Sequence, residues 1–293
     1  MARLTLTVLG AGPAAPNVGG ACSGYLLQAG DQANLLIDCG SGVAGRLGAH
    51  LAANRVRAIA ISHLHPDHYF DLVPLYYILK FGEPRPAGLE PPGSPSRPSG
   101  RDGIPRVPLH VPPGGGAFLR RFGELIANDP GMLDDVFDVS EYTAARETTL
   151  GGLRVSFHPV QHYIPSHAIR VRGGETPRGP QAAREPQNDG PTLVFSSDAG
   201  PGPQLVEAAR RADLFLCEAS LLDASLERAN GRPRGHLSAA EAGAAAREAG
   251  VRRLLLTHYV AGRQHEAHHR DAAARTFGGS VELAQEGTTY IVE

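Results

Sequence analysis

The chain has 293 residues, 42% of them hydrophobic, with 28 Lys and Arg set against 30 Asp and Glu. That is enough apolar material for a sizeable core, and the near-balance of charge excludes a global basic field of the kind that gathers nucleic acid or an anionic membrane. Three cysteines, Cys22, Cys39 and Cys217, sit in apolar segments without CxxC spacing, which points to reduced thiols in a cytoplasmic setting and away from a cysteine-based zinc site.

No apolar run approaches the roughly 20 residues of a membrane span. The N-terminus, Met1 to Val8, alternates like a strand and lacks the long apolar stretch of a signal peptide. A strand over Leu4–Leu9 breaks at Gly10-Ala11-Gly12-Pro13, where Pro13 and the missing helix pattern argue against a dinucleotide fingerprint. Ser23–Leu27 and Asn34–Asp38 read as strands joined at Gly30-Asp31, with Asp38-Cys39-Gly40-Ser41-Gly42 as a tight polar exit. Val43 to Ala53 suits a helix. Ala58–Ile61 is a buried strand.

The next stretch, Ser62-His63-Leu64-His65-Pro66-Asp67-His68, puts three imidazoles and a carboxylate into seven residues. It reads as a sharp loop at the end of a strand, able to hold ligands rigidly yet leave them open to substrate. Imidazole nitrogen with carboxylate oxygen is the donor set of zinc and its first-row neighbours.

A helical stripe follows over Leu72–Phe81. Residues 84–108, rich in Pro, Gly, Ser and Arg, read as an exposed linker, with a lid over the site as the alternative. Leu109–Val111 is a short strand in which His110 reads as a packed core histidine. Gly116–Ala127 is a helix, and strands lie near 137–142 and 153–160. Gln161-His162-Tyr163 precedes a strand over Ala168–Arg172, and 173–190 reads as a polar hairpin tip.

Thr192–Phe195 is a strand leaving at Ser196-Ser197-Asp198. Pro203–Arg211 is helical, and Leu214–Cys217 is a strand ending at Glu218. Ser238 with Glu241 has capping-box spacing for a helix to Ala249, which Gly250 ends. Arg253–Thr257 is a strand that stops at His258. A helix near 266–277 and two short strands close the chain, and the histidines at 265–269 read as a solvated helix face.

Apolar strands thus end repeatedly in a metal-binding or acid–base residue: His63, His162, Asp198, Glu218 and His258. That repetition places several strand ends around one cleft. Alternating strands and helices predict an α/β chain of two sheets with helices outside, in four layers, as one domain over 1–293 with 84–108 and 173–190 as insertions.

His63-Leu64-His65-Pro66-Asp67-His68 resembles the HxHxDH signature of the metallo-β-lactamase superfamily. Gln161-His162-Tyr163-Ile164-Pro165, Cys217-Glu218-Ala219-Ser220, Gly235–Glu241 and Leu254–His258 resemble segments of its ribonuclease Z and phosphodiesterase branch. The resemblance spans nearly the whole chain. It implies an αββα sandwich with two divalent metals, one taking His63, His65 and His162, the other Asp67, His68 and His258, with Asp198 between them. Zinc suits the nitrogen-rich set, with manganese or iron as alternatives. It also implies hydrolysis of a phosphodiester by a metal-bridging hydroxide, with His236 as general acid, Glu218 orienting it, and Asp67 helping to orient water. His158, His167, His265, His268 and His269 match no role.

Ribonuclease Z enzymes usually carry a long tRNA-gripping arm between the third histidine and the bridging aspartate. Here that interval is 198 − 162 = 36 positions. The short interval favours a small or cyclic nucleotide-like substrate over RNA 3′ processing. A lactonase or thioesterase of the same fold, and a non-catalytic RNA-binding or scaffold relative, are further alternatives. Relatives are often dimers, so a homodimer is an open expectation.

Overall fold

The computed structural model describes residues 3–30, 33–82, 105–173, 190–227 and 233–293. Most of the two insertions expected from the sequence, 84–104 and 174–189, lies outside the described residues, as does Asp31 of the expected turn.

The strands are β1 (Leu4–Gly10), β2 (Gly24–Ala29), β3 (Ala33–Ile37), β4 (Ala58–Ala60), β5 (Val107–Val111), β6 (Phe137–Glu141), β7 (Thr148–Leu150), β8 (Leu153–Val160), β9 (Ser166–Arg172), β10 (Thr192–Phe195), β11 (Leu214–Glu218), β12 (Arg253–Thr257), β13 (Val281–Leu283) and β14 (Thr289–Val292). Among the described residues they form two seven-stranded sheets, in the orders β14-β1-β2-β3-β4-β5-β6 and β13-β12-β11-β10-β9-β8-β7.

Each sheet is antiparallel at one side and parallel at the other. In the first, β3 to β6 run parallel. In the second, β10 to β13 do so. Parallel strands joined by crossovers have both faces covered, which is why β3 and β11 are buried along their whole length.

Alternating side chains divide the apolar residues into three cores. Leu27, Leu35 and Ile37 of the first sheet meet Phe157, Ile169, Phe195 and Leu216 of the second. Leu26, Leu36 and Ile59 point the other way, onto helices α1 (Val43–Leu47), α3 (Leu72–Phe81) and α4 (Gly115–Ala127). Val194, Phe215 and Leu256 pack against α5 (Pro203–Ala209), α6 (Ala239–Ala249) and α7 (Arg263–Phe277). Three cores between four layers make the helix–sheet–sheet–helix sandwich. Each fully buried Leu or Phe contributes roughly 1.5–3 kcal/mol to it.

Several local expectations are corrected. The helix expected over 43–53 stops at Leu47, with a separate 3-10 turn at Ala53–Arg55. The histidine loop contains a short helix, α2 (Pro66–Tyr69), because Pro66 occupies a first-turn position where its missing N–H costs nothing. β7 was not foreseen, and β5 begins at Val107, inside the stretch read as linker. His110 is only half-buried, on the less covered face of β5, where its Nδ1 lies 3.0 Å from Ser140 Oγ.

The 265–269 cluster is not wholly solvated. His269 is fully buried, on one stripe with Ala272 and Ala273, and its Nε2 donates to Ala219 O at 2.7 Å. The capping box of α6 forms as its spacing predicts, and Gly250 ends that helix.

Candidate metal centre

The parallel strands all point their C-terminal ends at one edge of the sandwich, the usual place for a crevice in such sheets. The segment after β4 brings His63, His65, Asp67 and His68 there. Asp198 follows β10, Glu218 ends β11, and His258 follows β12. The β8–β9 turn adds His162. Asp38 (φ 55°), Ser197 (φ 57°) and His258 (φ 53°) all hold left-handed backbone at this edge. Such strain in non-glycine residues gathers where a site over-determines the chain.

The side chains fall into two groups that share Asp198. His63, His65, His162 and Asp198 form one, and Asp67, His68, Asp198 and His258 the other, with donor atoms within 4.8 Å of one another in each. In the first, His65 Nδ1 lies 3.1 Å from His63 Nε2 and 3.0 Å from His162 Nε2. Asp198 Oδ2 is 3.8 Å from His63 Nε2. In the second, Asp198 Oδ1 is 3.3 Å from His68 Nε2 and 3.5 Å from His258 Nε2, while Asp67 Oδ2 is 3.2 Å from His258 Nε2.

The outer nitrogens of four imidazoles are engaged by the protein. His68 Nδ1 donates to Asp38 Oδ2 at 2.7 Å, and His162 Nδ1 donates to Gly235 O at 2.7 Å. Ser62 Oγ gives its proton to Asp38 Oδ2, so His63 Nδ1 donates to Ser62 Oγ at 3.2 Å. Ser220 Oγ gives its proton to Glu218 Oε2, so His258 Nδ1 donates to Ser220 Oγ at 2.8 Å. In the neutral ring, each Nε2 therefore turns a lone pair inward.

Lone pairs facing one another at these distances call for a cation between them. Buried His68 Nε2 and Asp198 Oδ1 have no hydrogen-bond partner among the described residues. Nitrogen-rich and carboxylate-bridged, the donor set fits first-row divalent metals.

Electrostatics agree with that use for the histidines of the first group and for the carboxylates. Burial holds His63, His65 and His162 below the usual imidazole range. His68 behaves differently: burial acts against its charged form, but the carboxylates of Asp198 and Asp38 outweigh it and hold the pKa well above the ordinary value. Burial also opposes the charge on Asp67 and Asp198. For Asp67 the hydrogen bonds of His258 and His68 prevail, and for Asp198 the charges of His258 and His68 do, so both carboxyls stay far below their usual range.

A third group adjoins the second: Glu218, His236 and His258. Glu218 is fully buried and accepts from Ala199 N at 2.9 Å, Ser220 N at 3.0 Å and Ser220 Oγ at 2.6 Å. Its Oε1 also lies 2.9 Å from His236 Nδ1. Burial alone would lower the pKa of His236. Glu218, helped by Asp198 and Glu227, pushes it up to about 9.

All nine residues singled out for chemistry in the sequence meet at this edge. His158, His167, His265 and His268 do not join them. Sequence reading missed Asp38, Ser62 and Ser220, which orient the imidazoles, and Gly40. A Cβ on Gly40 would lie 1.9 Å from Asp67 O, so the strand exit and the histidine segment touch backbone to backbone there. The polar run after β3 was the available signal for Asp38 and Gly40.

A family model described as a β-lactamase superfamily domain matches residues 33–259. An uncharacterized protein of Mycobacterium leprae is 33% identical over 291 residues, covering 98% of this chain and 88% of that protein. The probable metallo-hydrolase YhfI of Bacillus subtilis is 27% identical over 289 residues, covering 98% of this chain and 99% of its own. Its crystal structure, described as a metallo-β-lactamase fold, superposes with a TM-score of 0.74 over 99% of this chain and 100% of the other, at 24% identity. A ribonuclease Z of Ignicoccus hospitalis is 28% identical over 324 residues, covering 100% of this chain and 99% of that enzyme. The sandwich, the clustered histidines at its edge and a family match across most of the chain lead to one assignment: this protein belongs to the metallo-β-lactamase superfamily.

Proposed function

We propose that this protein is a metal-dependent phosphodiesterase acting on a small or cyclic nucleotide-like substrate. The observation that carries the reading is the placement of the Glu218–His236 pair beside two donor groups joined through Asp198. His63, His65 and His162 would hold one divalent ion, Asp67, His68 and His258 the other, with Asp198 between them. Zinc suits this set best. When bound there, two such ions supply Lewis acidity and activation of water near neutral pH.

The protein's own residues do the rest. His236 gives a proton from Nε2 to the leaving oxygen, while Glu218 holds Nδ1 and favours the charged imidazole. Ser220 ties Glu218 to His258, so the acid and the second donor group keep a fixed spacing. Asp67, at the floor of the crevice, also orients the attacking water.

The test is hydrolysis of a cyclic nucleotide and of bis(p-nitrophenyl) phosphate by the metal-loaded protein. Activity on both that chelation abolishes and metal restores is expected. Absence of hydrolysis with defined metal content overturns the reading. The full-length likeness to a ribonuclease Z favours a second reading, RNA 3′ processing, and cleavage of precursor tRNA in preference to small diesters would establish it.

A further inference from the structure

Beside the crevice stands an aromatic ring that the reaction as described leaves unused. Tyr163 directly follows His162 and is 52% exposed. Its ring centroid lies 5.0 Å from that of His162 and 5.7 Å from that of His236. These are the side chains that would flank a bound phosphodiester on the metal side and on the acid side.

The ring does not sit there loosely. A Cβ on Gly235 would lie 2.6 Å from Tyr163 Cε2 and Cζ, so the ring rests directly on the Gly235 backbone. That backbone is itself pinned, since Gly235 N donates to Glu227 Oε1 at 2.7 Å and Gly235 O accepts from His162 Nδ1 at 2.7 Å. A large aromatic left half in water on a rigid seat gives away hydrophobic stabilisation unless something covers it. In a nucleotide the base lies one sugar away from the phosphate, and Tyr163 stands next to the side chains that would hold that phosphate.

We infer that Tyr163 is a stacking platform for the nucleobase of the substrate, and so a residue that selects base-bearing phosphodiesters. The inference rests on the phosphodiesterase reading and deepens it. Every base has a π-face, so such a platform tolerates different bases while rejecting base-free esters.

The chain contains no tryptophan, so Tyr163→Trp creates a single fluorophore at the rim. In the metal-loaded full-length variant, adenosine monophosphate should quench it saturably, and ribose 5-phosphate should act at least about ten-fold more weakly. Equal response to the two, or none to either, overturns the inference whether or not the protein hydrolyses anything.

Kinetics supply the second arm. The ratio of kcat/KM on cyclic AMP to that on a base-free ribose cyclic phosphate should fall roughly ten-fold in Tyr163→Ala, mainly through KM, and recover in Tyr163→Phe. An unchanged ratio contradicts the platform. Base-dependent quenching in a protein that hydrolyses neither ester would instead keep the platform and remove the phosphodiesterase reading.

Discussion

His236 Nδ1 lies 2.9 Å from Oε1 of the fully buried Glu218, which fixes the ring so that only Nε2 is left to face a leaving group. A general acid matters most when the departing alkoxide is a strong base. His236→Ala should therefore lower kcat about 10²–10⁴-fold on a cyclic nucleotide and much less on an activated p-nitrophenyl ester. Parallel rates on the two substrates check this, and equal losses would remove the acid role.

Asp38 tests the support beneath the donors. It is fully buried, accepts from Ser62 N at 2.7 Å and holds His68 Nδ1 at 2.7 Å, yet is not itself a member of either donor group. Asp38→Asn keeps the shape and removes the charge that aligns the imidazole. Metal affinity should fall roughly 10–100-fold by chelator competition.

Acid should release the metals. Imidazole ligands must be neutral to bind; His68, held well above the ordinary histidine value, meets proton competition already near neutral pH, whereas His63, His65 and His162, held below that value, yield only as pH falls further. Affinity should therefore still climb as pH rises past neutrality, and fall progressively, not in one step, as pH drops from neutral into the acid range. Chelator competition across this window, with folding followed by circular dichroism, separates metal loss from unfolding. A flat affinity would exclude histidine ligation.

Gly40 offers a test of the backbone contact under the site. A Cβ there would lie 1.9 Å from Asp67 O, whereas one on Gly45 in α1 meets nothing within 4 Å. Gly40→Ala should destabilise by about 1–3 kcal/mol, as over-packing does, and lower metal occupancy with it. Gly45→Ala should leave Tm equal or higher. Thermal melts of the two variants decide this.

Much of this was legible in the sequence because it depends on short-range pattern. Apolar runs ending in His63, Asp198, Glu218 and His258 announce strands with chemistry at their tips. Ser238 and Glu241 announce a helix start with equal directness. Asp38 was read only as part of a turn, since its meaning depends on Ser62 and His68, which lie 24 and 30 positions away. Ser220 stayed hidden for the same reason, its partner His258 being 38 positions on. His269 was misjudged because one buried member of a polar cluster shows itself only when the neighbouring segment is known. The early end of α1 has a similar origin: residues that favour a helix locally were taken into a turn by packing against the first sheet.

The central claim is that seven side chains hold two ions through a shared Asp198. Elemental analysis of the purified protein after reconstitution measures it directly, with Asp198→Ala as the partner sample. The wild-type chain should carry two divalent ions and the variant clearly fewer. A wild-type chain that holds none under any loading, or an Asp198→Ala chain that keeps the full complement, would contradict the account.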